Sequence, residues 1–268
     1  GRVDESIDFA DKAGVSKDKS DGEKEAMYFN AAEQIFMTEN YNKALTSLMA
    51  YLERYPSGQK VPAAEFYVAE CYRNIGKKEQ ACDWYTKSLS RGSESSFAET
   101  AMLNFSRLSY ELQRYKDAYG GYSSLLEEDS KSTAEEIREA EYSKAKSLLS
   151  MNERSAAYEI FAALSAKPST SEGAEAAYMI ILDAYDQGKY DSVEKKVYAF
   201  AEKAGDQSYW LAKAFIVLGD SFAEQDNLQQ AKATFESVLN GYKPASGKSD
   251  DVLDNVRMRL DKLKNMER

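Results

Sequence analysis

Histidine is absent from the chain, and cysteine occurs only as Cys71 and Cys82. The first absence removes the commonest general base, the Ser-His and Cys-His nucleophile pairs, and histidine-based metal sites. Two cysteines cannot build a disulfide framework or a four-thiolate zinc site. They are read as reduced cysteines, although their place on neighbouring helices leaves a bond open. Proline occurs 4 times and glycine 14 times in 268 residues, too sparsely for a sheet-rich fold with many tight turns. Runs of 18 apolar residues are missing too, so no integral membrane segment is expected. A basic surface is lacking as well: the net charge is −10, and nucleic acid is excluded as an expected partner. The chain opens Gly-Arg instead of Met, which is read as a trimmed start and leaves an upstream signal or domain open.

What is present is a repeat. A small residue recurs as Ala44, Ala81, Ala118, Ala157, Val193 and Ala231, at spacings of 37, 37, 39, 36 and 38 residues. Four positions after this marker stand Leu48, Tyr85, Tyr122, Phe161, Val197 and Phe235; three further on stand Tyr51, Ser88, Leu125, Leu164, Phe200 and Val238. Such i, i+4, i+7 sets occupy one helical face and form a packing stripe. Twelve positions before the marker lie Ala32, Ala69, Ser106, Ala145, Ile181 and Gly219, and nine before it Ile35, Tyr72, Ser109, Leu148, Ala184 and Phe222. Small side chains there allow two helices to approach closely. Between the two sets fall Asn40-Tyr41, Gly76-Lys77, Arg114-Tyr115, Asn152-Glu153, Gly188-Lys189 and Asp226-Asn227, residues suited to turns.

The pattern predicts an all-α chain of six helical hairpins at about 23–56, 60–92, 96–129, 133–166, 171–204 and 207–242. An amphipathic helix at 249–267, striped by Val252, Val256, Leu260 and Leu263, is expected to cap the array. Residues 1–22 are read as a separate segment, a remnant of an upstream repeat, and Lys243–Ser249 as a hinge.

These residues resemble the tetratricopeptide repeat, a helix-turn-helix unit. The likeness is fullest in the last hairpin, at Phe215, Leu218, Gly219, Phe222, Ala231, Phe235 and Val238, and is carried in the first by Tyr28, Ala32, Ala44, Leu48 and Pro56. Ser106 and Val193 depart from the usual small residues. Tyr51–Tyr72 is similar to a junction in bacterial envelope members of that family, of the outer-membrane assembly lipoprotein and Tol–Pal coordinator type. The segment DQSYWLAKAFIVLGDSF is similar to the C-terminal parts of long Bacteroidetes repeat proteins. The resemblance implies an α-α superhelix, a non-catalytic scaffold for a protein or peptide, no cofactor, and a periplasmic or outer-membrane-associated place.

In that register the concave face receives Phe66, Glu70, Arg73, Arg107, Tyr110, Tyr142, Lys146 and Tyr185. Arg73 and Arg107 are expected to attract an acidic or carboxylate-bearing segment in a chain that is otherwise negative. Packing between helices and ordinary solvated surface are the competing readings of these positions. A structural spacer or self-associating section of a longer array is the alternative function, and homo-oligomerisation stays open. Ser143-Lys144-Ala145-Lys146 fits an S-x-x-K pattern without its S-D-N or K-T-G companions. The acidic runs Glu127-Glu128-Asp129 and Glu135-Glu136 are read as helix-terminal charges, so no enzyme activity is expected. Gly219 is read as the packing residue of a close crossing, where leucine would be costly and alanine tolerated.

Overall fold

The computed structural model describes residues 20–91, 97–127, 130–244 and 250–266. Among these residues the chain forms thirteen helices: α1 (Asp21–Met37), α2 (Tyr41–Arg54), α3 (Val61–Asn74), α4 (Lys78–Leu89), α5 (Ala98–Glu111), α6 (Tyr115–Ser124), α7 (Ala134–Ser150), α8 (Arg154–Leu164), α9 (Ser171–Asp186), α10 (Tyr190–Ala201), α11 (Ser208–Glu224), α12 (Leu228–Gly241) and α13 (Val252–Met266). They pair as six hairpins with α13 as a terminal helix, as the repeat predicts. The segment expected at 1–22 lies largely outside the described residues. Its last residues open α1, which starts earlier than expected because Ser20 and Glu23 form a reciprocal capping box. Most of the hinge before α13 also lies outside them.

Two compact units divide the chain at Ala140 and Glu141, inside α7. In the first, α1 packs on α2, α2 on α3, α3 on α4, α4 on α5, and α5 on α6. In the second, α8 packs on α9, α9 on α10 and α11, α11 on α12, and α12 on α13. Each unit is a stack of antiparallel hairpins with its apolar stripes turned inward.

All six markers are buried at 0% exposure, and every residue four or seven positions after a marker is buried too. Ala32, Ala69, Ala145, Phe222 and Gly219 line the opposing helices and are likewise buried. Val193 and Ile181, the larger residues of the fifth hairpin, sit as deep as the alanines. Val252, Val256, Leu260 and Leu263 bury the inner stripe of α13.

The turns share one backbone device. Glu39, Gly76, Gln113, Asn152, Gly188 and Asp226 have φ between 56° and 79°, the left-handed region, and each lies five positions before its marker. The next residue closes the turn in five cases: the N–H groups of Lys77, Arg114, Glu153, Lys189 and Asn227 donate to the carbonyls of Tyr72, Ser109, Leu148, Ala184 and Phe222. This is the bond that ends a helix on a left-handed residue. The acceptors are the residues nine positions before the marker.

Gly219 corrects one expectation. A Cβ placed there would lie 2.8 Å from both Cδ1 and Cζ of the Phe235 ring. That ring is 1% exposed and cannot swing away. Alanine is therefore already too large. Gly121 makes a similar approach, its missing Cβ facing Ser106, whereas Gly120 next to it faces open space.

Gly219→Ala should accordingly destabilise by about 1–3 kcal/mol from overpacking, against a propensity gain of about 1 kcal/mol at most. Gly120→Ala gains propensity with no clash and should stabilise by about 0.5–1 kcal/mol. Urea unfolding of the two variants checks both signs; a Gly219→Ala chain more stable than the parent would refute the close crossing.

Candidate functional site

The first helices of successive hairpins lie side by side and are joined by side-chain bonds with a repeating grammar. Eleven positions before the marker stand Glu33, Glu70, Arg107, Lys146, Leu182 and Asp220. Where this residue is glutamate, it accepts a bond from the residue fourteen positions before the next marker. Tyr67 Oη donates to Glu33 Oε1 at 2.9 Å, and Asn104 Nδ2 to Glu70 Oε1 at 2.7 Å. Where it is basic, it pairs with the acid eighteen positions before the next marker: Arg107 Nε donates to Glu139 Oε1 at 2.6 Å, and Lys146 Nζ lies 3.9 Å from Glu175. Asp220 takes both its oxygens to Arg259 Nε of α13, at 2.7 and 2.8 Å.

Glu70 is the most enclosed of these groups, at 7% exposure on α3. The Tyr85 hydroxyl of α4 and the Asn104 amide of α5 donate to its Oε1, while Arg73 Nη2 donates to Oε2 at 2.6 Å. Burial, with the adjoining Glu70 carboxylate, drives the Tyr85 hydroxyl far above its ordinary pKa and keeps it a donor. Tyr67 shows the same effect, pushed up to about 12 by burial and by Glu33. Arg107 extends the row through Asn104 Oδ1 at 3.5 Å to Glu139. The Glu139 partner raises its pKa against desolvation.

The structure sorts the sequence-predicted residues into three groups. Phe66 is a core side chain, 6% exposed and stacked 4.7 Å from Phe97, and Glu70 is the buried acceptor just described. Neither offers a free surface, because the face fifteen and eleven positions before the marker in α3 is covered by the next hairpin. Arg73 and Arg107 keep 41% and 45% of their side chains exposed. Their charges are engaged by Glu70 and Glu139, so they are not the unpaired attractors the sequence suggests. Tyr110, Tyr142, Lys146 and Tyr185 are half-buried. Tyr110 packs edge-on against Tyr115, Tyr185 lies 5.9 Å from Tyr190, and Lys146 sits over the Tyr142 ring at 5.3 Å.

Sequence reasoning missed Tyr67, Tyr85, Asn104, Glu139 and Glu175, the partners that complete the row. Their signal was the separation itself: Glu33 to Tyr67 and Glu70 to Asn104 both span 34 residues. A second cluster in the other unit gathers Lys213, Tyr178, Tyr209 and Asp251. Lys213 Nζ lies 3.0 Å from Asp251, with the Tyr178 and Tyr209 ring centres 5.8 and 5.6 Å away.

Catalytic geometry does not develop from these groups. Ser143 and Lys146 lie within the unbroken helix α7. Glu136 instead closes a capping box with Thr133, whose N–H donates at 2.7 Å and holds the carboxyl below its usual range. Cys71 and Cys82 are buried free thiols, and burial pushes Cys71 up to about 12, far from a nucleophilic thiolate. Among the described residues no group of three or more Cys, Asp or Glu side chains is placed to hold a metal, and no helix is long and apolar enough to cross a membrane.

The tetratricopeptide repeat family model matches residues 209–243, the last hairpin. Among solved structures, the chain is similar to a tetratricopeptide repeat protein from Parabacteroides merdae ATCC 43184, with 18% identity, a TM-score of 0.56, and 91% of this chain and 86% of that one covered. That likeness shows the fold. Looser matches include YrrB, described as a TPR protein with an unusual peptide-binding site (16% identity, TM-score 0.41, covering 85% and 90%), and MamA from Desulfovibrio magneticus RS-1 (15%, 0.40, 82% and 95%). No curated protein sequence matches the chain.

Removing the Glu70 carboxylate strands the buried Tyr85 hydroxyl and Asn104 amide, while the half-exposed Arg73 turns to water. Glu70→Ala should cost about 2–4 kcal/mol, the order expected for two buried neutral donors that lose their acceptor. Glu33→Ala, which takes the acceptor from the single hydroxyl of Tyr67, should cost about 1 kcal/mol. Chemical denaturation distinguishes them, and equal losses would show that Glu70 is not the hub of the first unit.

Proposed function

We propose that this chain is a non-catalytic binding scaffold that holds a protein or peptide partner on the faces lined by its first helices. The observation that carries the reading is the row on those helices eleven and eight positions before each marker. Arg73, Arg107, Tyr110, Lys146 and Tyr185 are each partly exposed there, and each is braced by a neighbour. Braced aromatic and guanidinium groups lose little side-chain entropy when a partner arrives, and they offer large contact area with directed hydrogen bonds. Their charges are internally paired, so recognition depends on shape and hydrogen-bond exchange more than on a bare field. The tetratricopeptide fold supports this reading, as does a chemical inventory without histidine or an accessible thiolate. A place in the bacterial envelope belongs to the same proposal and rests on the Tyr51–Tyr72 resemblance.

The test is affinity capture from native cells with the whole chain as bait, followed by binding measurements on each purified candidate. Arg107→Gln combined with Lys146→Gln removes two braced cations. Both pairs are half-exposed, so stability should change by only about 1 kcal/mol or less. Affinity should fall about tenfold, equivalent to about 1.4 kcal/mol. A folded double variant that binds as tightly as the parent would remove the first-helix faces as the docking surface.

A further inference from the structure

The sixth hairpin breaks the pattern at one position. Eight residues before the marker the first five hairpins carry Phe36, Arg73, Tyr110, Leu149 and Tyr185, and the sixth carries Ala223. The large side chain has a structural task. Phe36 packs edge-on against Tyr41 of its own second helix and reaches Tyr67 of the next hairpin, with ring centres 5.6 and 4.8 Å away. The edge-on contact recurs as Tyr110 with Tyr115, and a tilted one as Tyr185 with Tyr190. Ala223 reaches nothing comparable.

A cleft of about 570 Å³ opens there between α11 and α13, bordered by Tyr185, Phe235, Leu263 and the exposed thioether of Met258. With Ala223, these apolar groups make up half of its lining, as aromatic neighbours surround Phe36, Tyr110 and Tyr185 in their hairpins, and charged side chains make up the other half. Five charged residues line it, and they matter for what can enter. Arg259 is claimed through both oxygens of Asp220. Glu224, Asp226 and Lys262 are exposed and make no ion pair among the described residues. Two carboxylates against one ammonium leave the rim negative.

We propose that this cleft takes an aromatic side chain from a peptide partner, in the place of the missing hairpin residue, with basic residues flanking it in the partner's sequence. The inference rests on the scaffold reading and names the ligand class of one site within it. Tyrosine or phenylalanine matches the walls, because those residues fill the equivalent gap at Phe36 and Tyr110. The flanking cations answer Glu224 and Asp226, which lie one and three residues beyond Ala223 at the turn.

The probes are three capped tripeptides: acetyl-Lys-Tyr-Lys-amide, acetyl-Lys-Ala-Lys-amide and acetyl-Glu-Tyr-Glu-amide. They are titrated into the whole chain carrying carbon-13 methyl-labelled methionine, and the Met258 methyl resonance reports occupancy. The Lys-Tyr-Lys peptide should move it saturably. The alanine and glutamate peptides should bind at least about fivefold more weakly, the first for want of the ring and the second through like-charge repulsion. Ala223→Phe fills the gap from within and should abolish the Lys-Tyr-Lys response. Glu224→Gln with Asp226→Asn, both at exposed positions, should erase the preference for lysine over glutamate while keeping the preference for tyrosine over alanine.

An unmoved Met258 methyl, equal response to the tyrosine and alanine peptides, or undiminished binding by a folded Ala223→Phe chain would each overturn the proposal. These results are separable from the scaffold test. Lost tripeptide binding beside intact partner capture rejects this cleft alone, and tripeptide binding beside failed capture rejects the first-helix faces alone.

Discussion

The stack depends on how closely the two helices of each hairpin can cross. The crossing is set by the residue twelve positions before the marker and the one four positions after it. In register order these pairs are Ala32 with Leu48, Ala69 with Tyr85, Ser106 with Tyr122, Ala145 with Phe161, Ile181 with Val197, and Gly219 with Phe235. All of the ring- or branch-bearing members are buried. The smallest first member meets a phenylalanine ring, and the largest stands in register with a valine. The summed size of the pair varies, since Ala145 with Phe161 carries one methyl more than Gly219 with Phe235, so each crossing is fitted to its own surroundings at a crystal-like density that tolerates neither a void nor a surplus methylene. Ile181 and Val193 are buried where a motif of small residues would place alanine or glycine, and glycine is required at 219, despite its helical cost, because the Phe235 ring takes the space a Cβ would need.

Once the crossings are set, the first helices of neighbouring hairpins meet at a fixed offset, and polar side chains can exploit it. A carboxylate eleven positions before the marker reaches back to a donor at one register of the next helix, and a cation at the same place reaches an acid one turn further. Such bonds add little where they are exposed, since surface pairs are screened. At Glu70 the balance differs. A buried carboxylate with three donors is costly to disturb, and it ties α3, α4 and α5 into one arrangement. Apolar stripes alone would tolerate sliding of one hairpin over the next; the Glu70 bonds are directional and do not.

The number of hairpins, their breaks and their buried stripes were legible in the sequence because they recur. A periodic signal averages out the exceptions at Ser106, Val193 and Ile181. The candidate site was legible only in part. Register placed Arg73, Arg107 and Tyr110 on first helices, where they lie, but it said nothing of what covers a face. Phe66 and Glu70 sit at inward positions by phase, yet the following hairpin closes over them. Pairing was equally hidden: Arg107 reads as a lone cation until Glu139, 32 residues away, is brought beside it. Burial by a neighbouring repeat and neutralisation by a distant acid are properties of the stack, and neither is carried by a single hairpin.

The turns show where the chain tolerates cost. Four of the six left-handed residues are Glu39, Gln113, Asn152 and Asp226, side chains for which that conformation costs up to about 1–2 kcal/mol. Glycine would be cheaper, and two of these six turns use it, at Gly76 and Gly188. Moving any turn by one residue would rotate the following helix by about 100° and carry its marker off the crossing. The strain of a non-glycine turn is therefore smaller than the burial it secures, and at Gln113, Asn152 and Asp226 the next N–H also closes onto the carbonyl nine positions before the marker. The crossing selects the turn geometry, and the identity of the turn residue is left comparatively free. This ordering accounts for a chain whose markers are nearly invariant in size while its turns range from glycine to glutamine.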